Sequence, residues 1–291
     1  MLRIMEFVLV LWYKKFMDEN KNVLVIAGSS QIGIEAIRLM LDGGYRVYAT
    51  SRNPVDIEDK NLLKYALDVT DDTSFCALKE KLSDVKFCAV INNAGIAIAS
   101  PVEFLDESEL QKQLDVNLFG LLRVIKHFSS CLVKEGKIIN ISSMASYGVY
   151  PFLSPYCLSK RAADILLRSF SNEAGIKYVS IRPGAIRTKF WTDSIEQNRE
   201  NFEKFTGKYE NIGKYMLDNA RRNSLGALEP AAVGRAVFKV LNQKNPKCVI
   251  NVGLDAHICA LTSKFLSEDL LNKFIRMALK LKSRKANEYG K

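Results

Sequence analysis

The chain has 291 residues, is 48% hydrophobic and 25% charged, and carries a formal net charge of +10. These values exclude a disordered chain, and the length is enough for a sizeable hydrophobic core. The six cysteines include no CxxC pair and no spacing typical of metal ligands, and the two histidines, His127 and His257, leave little for a histidine-based site. We therefore predict no metal centre, reduced thiols and a cytoplasmic location.

The N-terminus carries a short apolar run, FVLVLWY, at residues 7–13. A bilayer-spanning helix needs about twenty apolar residues, and no small-residue cleavage site of a signal peptide follows. Met17, followed by the polar stretch DENKN and the first predicted strand, is a more ordinary first residue. We interpret residues 1–16 as an extension outside the folded domain or upstream of the true start, with an interfacial anchor as the alternative.

Apolar, strand-like runs then alternate with stretches of helical periodicity. The runs are at 22–27, 45–50, 62–67, 87–91, 137–142, 178–182 and 247–252. This rhythm predicts an α/β protein, a Rossmann-type doubly wound parallel sheet of about seven strands with helices on both faces. We predict one domain over residues 17–255, in which the polar and aromatic interval 185–229 is an insertion that caps the substrate site.

The first predicted strand runs into a small-residue turn in the stretch VLVIAGSSQIG, residues 23–33. A buried strand that ends in glycine at the start of a helix is typical of a phosphate-binding turn. Only Gly28 and Gly33 remain, however, whereas a dinucleotide fingerprint uses more glycines.

A candidate acid/base pair lies in the middle of the chain. Tyr156 is followed four residues later by Lys160, within a stretch of helical periodicity, so the two side chains share one helix face. A neighbouring ammonium favours the phenolate, and we therefore expect a lowered pKa for Tyr156. Alone the pair is a weak signal, since two unrelated surface residues would give the same spacing.

The surrounding motifs strengthen this interpretation. Ser143 follows the strand KIINIS and precedes Tyr156 by thirteen residues, Asn92-Asn93-Ala94-Gly95 follows the strand FCAVI, and Asp68-Val69-Thr70 follows the third strand. Asn117 lies in DVNLFG, and Pro183-Gly184 is followed by Thr188. In type, spacing and order these motifs resemble those of the short-chain dehydrogenase/reductase family, over about residues 20–255.

The resemblance implies a catalytic set of Asn117, Ser143, Tyr156 and Lys160. It also implies a cofactor site of Gly28, Ser30, Gln31, Ile32, Gly33, Ser51, Arg52, Asp68, Val69, Asn93, Ala94, Gly95, Tyr156, Lys160, Pro183, Gly184, Ile186 and Thr188. In such a site a nicotinamide cofactor exchanges hydride with a carbonyl or alcohol, Ser143 donates a hydrogen bond to the substrate oxygen, and Tyr156 exchanges the proton. Lys160 would hold the nicotinamide ribose, and Asn117 would position a water.

The glycine-rich turn departs from the family pattern TGASSGIG. Ala27 replaces its first glycine, Gln31 replaces the middle one, and only Gly33 keeps its register. Gly28 beside Ala27 could absorb a shift of the turn, and the Gln31 amide could donate a hydrogen bond where backbone would otherwise approach the pyrophosphate. We predict that the turn still binds cofactor.

The end of the second strand bears on the choice of cofactor. An acidic residue there would bind the ribose 2′-hydroxyl of NAD, whereas an arginine accommodates a 2′-phosphate. The chain has Ser51 at the acidic position and Arg52 next to it. This favours NADP(H), with NAD(H) as the alternative.

The substrate is less well defined. The aromatic insertion and the long C-terminal tail resemble family members that act on lipophilic alcohols and ketones, such as retinol and 17β-hydroxysteroid dehydrogenases, and the family implies a homodimer or homotetramer. Two alternatives stay open: a cofactor-binding regulator without catalysis, motivated by Ala27 and Gln31, and an epimerase or dehydratase that uses the same Tyr and Lys.

The C-terminal tail, residues 256–291, is basic and amphipathic. Residues 264–291 contain eight Lys and Arg against three acids, which is half of the chain's net charge. An apolar stripe of Leu266, Leu270, Phe274, Ala278 and Leu281 recurs at helical spacing. The stripe either packs over the substrate pocket or lies on an anionic membrane, giving a protein peripheral to it. Nucleic-acid binding is disfavoured, because an apolar face suits a lipid boundary better.

Overall fold

The computed structural model describes residues 21–197 and 226–278. The predicted N-terminal extension, the larger part of the predicted insertion and the last residues of the tail lie outside these ranges. Leu281 of the predicted apolar stripe is among them.

Seven parallel strands form one sheet in the order β3-β2-β1-β4-β5-β6-β7. They are β1 (Asn22–Ile26), β2 (Arg46–Ser51), β3 (Leu62–Ala66), β4 (Phe87–Asn92), β5 (Leu132–Ile141), β6 (Lys177–Pro183) and β7 (Val249–Val252). Each overlaps one of the seven predicted apolar runs, although β5 begins five residues before its run, at Leu132. The predicted Rossmann-type parallel sheet is therefore confirmed.

Helices cover both faces of the sheet. They are α1 (Gln31–Asp42), α2 (Asp72–Lys81), α3 (Glu107–Leu114), α4 (Gly120–Phe128), α5 (Ser154–Ala174), α6 (Phe190–Gln197), α7 (Pro230–Leu241), α8 (Leu254–Phe265) and α9 (Glu268–Ala278). Short 3-10 turns lie at Val102–Phe104, Ser129–Cys131 and Met144–Ser146, and a π-helical turn at Asp115–Phe119 joins α3 to α4.

The core is divided by the sheet because successive strand side chains point to opposite faces. In β1, Val23 and Val25 pack in one cluster with α1 and α7, whereas Leu24 and Ile26 pack in a second cluster with α2 and α4. A third cluster joins α4 to α5 over Ile138 of β5. Burial on both faces explains why the central strands β1 and β4 are continuous apolar runs without alternation.

The strand order positions the functional residues. It reverses at β1, which lies between β2 and β4, and connections from this point leave towards opposite faces. In open parallel sheets, ligands bind in the crevice at the carboxyl ends of the strands at such a point. The turns after β1, β2, β3, β4, β5 and β6 all lie along this edge.

The chain ends, within the described part, in two consecutive helices. α8 follows β7 directly, and α9 carries Leu270 and Phe274 of the predicted apolar stripe. Among the described residues, no helix combines the length and the apolar character needed to cross a bilayer.

Candidate active site

The turn after β1 is held by three side-chain hydrogen bonds. Ser30 caps α1 by accepting from the Gly33 amide at 3.1 Å. Asn93, directly after β4, donates to Ala27 O at 2.8 Å and to Ser30 Oγ at 2.7 Å. A Cβ on Gly33 would stand 2.6 Å from the carbonyl oxygen of Gly28, so only glycine fits there. The two retained glycines thus meet at the tightest point of the turn.

The N-terminus of α1 fits a phosphate group. The backbone N–H groups of Gln31 and Ile32 donate to no acceptor among the described residues, and Ser30 satisfies the next one. Free N–H groups at the positive end of a helix dipole bind anions. The substitution of Gln31 for glycine leaves both donors in place.

Ala27 occupies a conformation that favours glycine, with φ of +59°. Gly28 does not relax the turn, because the sheet holds it through a hydrogen bond to Thr50 O at 2.8 Å. The left-handed region costs a residue with a Cβ about 1–2 kcal/mol.

We therefore expect Ala27→Gly to raise the free energy of unfolding by about 1 kcal/mol, less than the full strain because glycine gains freedom in the unfolded chain. Urea unfolding monitored by circular dichroism measures this change. Ala36→Gly, in the middle of α1, is the control and should destabilise. A destabilised Ala27→Gly variant would contradict the strain assigned to this turn.

The end of β2 faces the same turn. Ser51 shares a hydrogen bond with Ser29 and accepts from the Asn53 amide at 3.3 Å. Arg52 is exposed, and its positive charge helps to lower the pKa of Asp68, although the hydrogen bonds from Thr70 are the larger causes. Arg52 therefore presents an exposed guanidinium close to the turn after β1.

The predicted acid/base residues come together on α5 and the end of β5. The Ser143 side chain lies beside the Tyr156 hydroxyl, where hydrogen bonding by Ser143 lowers the pKa of Tyr156. Lys160 Nζ lies 5.7 Å from the centre of the Tyr156 ring and donates to Ile141 O at 3.0 Å. Both Tyr156 and Lys160 are buried, with 5% and 6% of their surface exposed. The i, i+4 spacing thus produces the juxtaposition that the sequence predicts.

The predicted lowering of the Tyr156 pKa is wrong for this state of the chain. Burial raises the pKa of Tyr156 to about 12, which outweighs the lowering by the Ser143 hydrogen bond. Burial likewise lowers the pKa of Lys160 to about 8, against a smaller raising by Asp164. Desolvation disfavours both charged forms, so Tyr156 is a protonated phenol at neutral pH.

Asn117 lies in the π-helical turn, close to the Lys160 ammonium. Its side chain accepts from Ile96 N at 2.9 Å and donates to Ile96 O and to Ser159 Oγ, each at 3.0 Å. One turn earlier, Gln113 is fully buried and bonds Ile98 N and Ile96 O. The pair ties the segment after β4 to α5. Sequence reasoning missed Gln113, although its i, i+4 spacing from Asn117 was a usable signal.

The Pro183-Gly184 segment after β6 is anchored by a residue that sequence reasoning missed. Asp255, in the first turn of α8, accepts a hydrogen bond from Ala185 N at 2.6 Å, and a Cβ on Gly184 would collide with its carboxylate. Further on, Ile186 is buried and pairs with Leu228. Thr188 Oγ1 accepts from Phe190 N at 3.4 Å, at the start of α6.

The remaining predicted cofactor residues follow β3 and β4. Asp68 accepts from both the amide and the hydroxyl of Thr70, Val69 packs in the core beside α4, and Ala94 is buried. A Cβ on Gly95 would stand 3.2 Å from Lys160 Nζ. The predicted site residues therefore follow the edge of the sheet where the carboxyl ends of the strands lie, from the turn after β1 to the segment after β6.

Two aromatic side chains of α6 cover Tyr156, the predicted acid/base residue. The ring centres of Phe190 and Trp191 lie 6.0 and 5.3 Å from that of Tyr156. We call this pair the aromatic cover. A separate cavity of about 420 Å³, between α5 and the α8–α9 pair, is lined by Arg161, Arg168 and others but by none of the four catalytic candidates. The two rings of the aromatic cover pack directly against the Tyr156 ring.

One cluster of metal-ligand types occurs among the described residues, outside this crevice. Asp72 and Cys76 on α2 approach His127 on α4, with their ligand atoms within 4.8 Å of one another. His127 is hydrogen-bonded to Asp72 at 3.0 Å and stacks on Phe75. The cluster is thereby accounted for as a surface contact between two helices.

Comparisons with known proteins agree with this geometry. A family model described as short chain dehydrogenase matches residues 21–199. A 3-amino-tetrahydro-pyrrolizinone reductase of Xenorhabdus hominickii is 30% identical over 85% of this chain and 92% of its own. A 3-ketodihydrosphingosine reductase of Bacteroides thetaiotaomicron is 26% identical over 88% of this chain and 96% of its own.

A solved structure supports the same fold. A short chain dehydrogenase from Burkholderia cenocepacia, in complex with NADP, superimposes with a TM-score of 0.68 at 19% identity and covers 91% of this chain and 98% of its own. The family model matches more than half of the chain, and the curated relatives are matched over almost their whole length. The chain belongs to the short-chain dehydrogenase/reductase family, whose members are NAD(P)-dependent oxidoreductases acting on alcohol and carbonyl groups.

Proposed function

We propose that this protein interconverts a lipophilic ketone or aldehyde and its alcohol with NADP(H), using Tyr156 as the proton donor and acceptor. The observation that carries the proposal is the position of the Tyr156 hydroxyl beside the Ser143 side chain and Lys160, along the same edge of the sheet as the turn after β1. A catalytic acid must lie within hydrogen-bond reach of the reacting oxygen. The neighbouring Ser143 and Tyr156 hydroxyls can both reach one substrate oxygen.

The nicotinamide, when bound, supplies or accepts a hydride at its C4 position. During reduction, negative charge grows on the substrate oxygen, where Ser143 donates a hydrogen bond and Tyr156 delivers its proton. The raised pKa of Tyr156 keeps that proton on the phenol at neutral pH. Lys160 stabilises the phenolate left behind and would bind the nicotinamide ribose. Tyr156 thus carries the proton that reduction of a carbonyl consumes.

The preference for NADP(H) rests on Arg52. Its guanidinium is exposed beside the cofactor turn, and no acid occupies the neighbouring position, which is Ser51. Arginine binds phosphate through paired, charge-assisted hydrogen bonds.

A lipophilic substrate is favoured by the aromatic cover. Phe190 and Trp191 bring apolar surface to the catalytic hydroxyls, and the Bacteroides relative is named for a keto substrate. Turnover tests the whole proposal: the protein is incubated with NADPH and a panel of aliphatic, steroid and sugar carbonyls, and NADPH absorbance and products are followed.

The panel also separates the two alternatives. A cofactor-binding regulator would bind NADPH without consuming it against any carbonyl. An epimerase or dehydratase would convert substrate without a net change in NADPH absorbance. Consumption confined to the polar sugars would contradict the lipophilic assignment while leaving the redox chemistry intact.

We further propose that α8 places the protein on an anionic membrane surface. Leu254, Ile258, Leu261 and Phe265 recur at helical spacing and are 79%, 53%, 61% and 71% exposed. Monomers rarely expose such a continuous apolar face. The tail that follows carries a net charge of +5 over residues 264–291, which suits anionic lipid. The protein would then be cytoplasmic and peripheral to the membrane that holds its substrate.

Vesicle co-sedimentation tests this second proposal. Because burying a Leu or Phe side chain is worth about 1.5–3 kcal/mol, the double variant Leu261→Glu/Phe265→Glu should lose most binding to phosphatidylglycerol vesicles at low salt. Val102→Glu, at an apolar residue that is 69% exposed elsewhere, is the matched control. Wild-type protein that ignores anionic vesicles, or a double variant that still binds them, would rule the membrane contact out.

A homodimer or homotetramer completes the proposal, as the family resemblance implies. Phe119, Leu158 and Ile165 are 46%, 52% and 60% exposed along the π-helical turn and α5. Sedimentation equilibrium of the wild-type protein measures the state directly.

A further inference from the structure

The cofactor turn and the aromatic cover are joined by one hydrogen bond. Gln31, the first residue of α1, accepts a hydrogen bond through its side-chain Oε1 from the backbone N–H of Lys189 at 2.8 Å. The two residues are 158 positions apart in the sequence. Lys189 immediately precedes Phe190 and Trp191, so this bond fixes the base of the segment that covers Tyr156.

Substrate cannot reach Tyr156 while the cover is in place. Only 5% of the Tyr156 surface is exposed, and both aromatic rings pack on it. A substrate oxygen has to come within hydrogen-bond distance of the Tyr156 hydroxyl. Phe190 and Trp191 must therefore move before substrate binds, and the contact between Gln31 and Lys189 is part of what resists that movement.

The other end of the same side chain is available to a ligand. The Gln31 Oε1 is occupied by Lys189 N–H, whereas its Nε2 donates to no acceptor among the described residues. Beside it are the two unpaired N–H groups at the N-terminus of α1. A side-chain amide is two-ended, with an acceptor and a donor. The acceptor end holds the cover, and the donor end suits an anion at the helix terminus.

We propose that Gln31 is a positioning residue that couples the cofactor turn to the aromatic cover, holding Lys189 through its carbonyl oxygen and a pyrophosphate oxygen through its amide N–H. A glycine at this position could do neither. The inference rests on the proposed function for the identity of the anion, but the contact with Lys189 is independent of any ligand.

The first test measures opening of the cover without cofactor or substrate. Hydrogen exchange of the α6 amides from Ser194 to Gln197 is followed by mass spectrometry, because these amides bond within α6 and not to Gln31 or Lys189. A hydrogen bond worth about 0.5–1.5 kcal/mol changes the open population about two- to tenfold. Gln31→Met should therefore speed exchange of α6 by that factor.

Two further variants separate the halves of the amide. Gln31→Glu keeps an oxygen that accepts from Lys189 N–H, so exchange of α6 should remain close to that of the wild type. The same variant replaces the donor with a negative charge, and NADPH affinity, measured by fluorescence titration, should fall about tenfold or more. Glu35→Met removes a polar side chain one turn further along α1 and should change neither property.

The outcomes are distinct. Unchanged exchange of α6 in Gln31→Met, or equal acceleration in Glu35→Met, would overturn the coupling to the cover. Unchanged NADPH affinity in Gln31→Glu would overturn the contact with pyrophosphate. If no carbonyl is turned over but exchange responds as expected, the proposed function fails while the coupling of Gln31 to the cover stands.

Discussion

Replacing Tyr156 by Phe should lower kcat at least about a hundredfold, because general acid catalysis by a positioned side chain contributes about 10²–10⁴. The substitution removes one hydroxyl and keeps the ring against Phe190 and Trp191. Steady-state reduction of the best carbonyl with NADPH measures the loss.

Two measurements make this result specific. NADPH affinity should stay within about threefold of the wild type, since the proton in question acts only in the chemical step. Tyr147→Phe is the matched control, because its hydroxyl donates to Asn251 at 2.9 Å, away from Ser143. A Tyr156→Phe variant that retains more than about a tenth of the wild-type kcat would refute the assigned role.

Replacing Arg52 by Ala should weaken NADPH binding by about 1.5–3 kcal/mol, the usual worth of a hydrogen bond to a charged group. NADH affinity should be nearly unchanged, because NADH lacks the 2′-phosphate that the guanidinium would bind. Isothermal titration of both cofactors measures the difference. Equal losses for the two would mean that Arg52 supports the turn instead.

The double variant Ser51→Asp/Arg52→Ala should invert the preference. An Asp at position 51 can still accept from the Ser29 hydroxyl and the Asn53 amide, which Ser51 contacts now. Its carboxylate would bind the ribose 2′-hydroxyl of NADH and repel a 2′-phosphate. Persistent preference for NADPH would place the discrimination elsewhere in the crevice.

The sheet was predictable because its central strands are buried on both faces. Burial on both sides demands uninterrupted apolar residues, as in FCAVI of β4, and such runs stand out in a sequence. The juxtaposition of Tyr156 and Lys160 was predictable for a similar reason, since it depends only on the pitch of one helix.

The parts that were missed depend on contacts between distant segments. Two hydrogen bonds, from Lys189 N–H to Gln31 and from Ala185 N–H to Asp255, join segments that are far apart in the chain. No local sequence pattern predicts such contacts. The sign of the pKa shift of Tyr156 was missed because burial of the side chain sets it. The sequence showed only the neighbouring Lys160, whose charge would lower that pKa. Local periodicity carries no information about such packing.

Transfer of a labelled hydride tests the central claim most directly. The protein is supplied with NADPH that carries deuterium at both hydrogen positions of C4 and with a carbonyl that it reduces, and the product is analysed by mass spectrometry and NMR. The account predicts an alcohol that carries one deuterium on its carbinol carbon, formed at least about a hundredfold more slowly by Tyr156→Phe. A product without the label, or one formed equally fast by Tyr156→Phe, would contradict it.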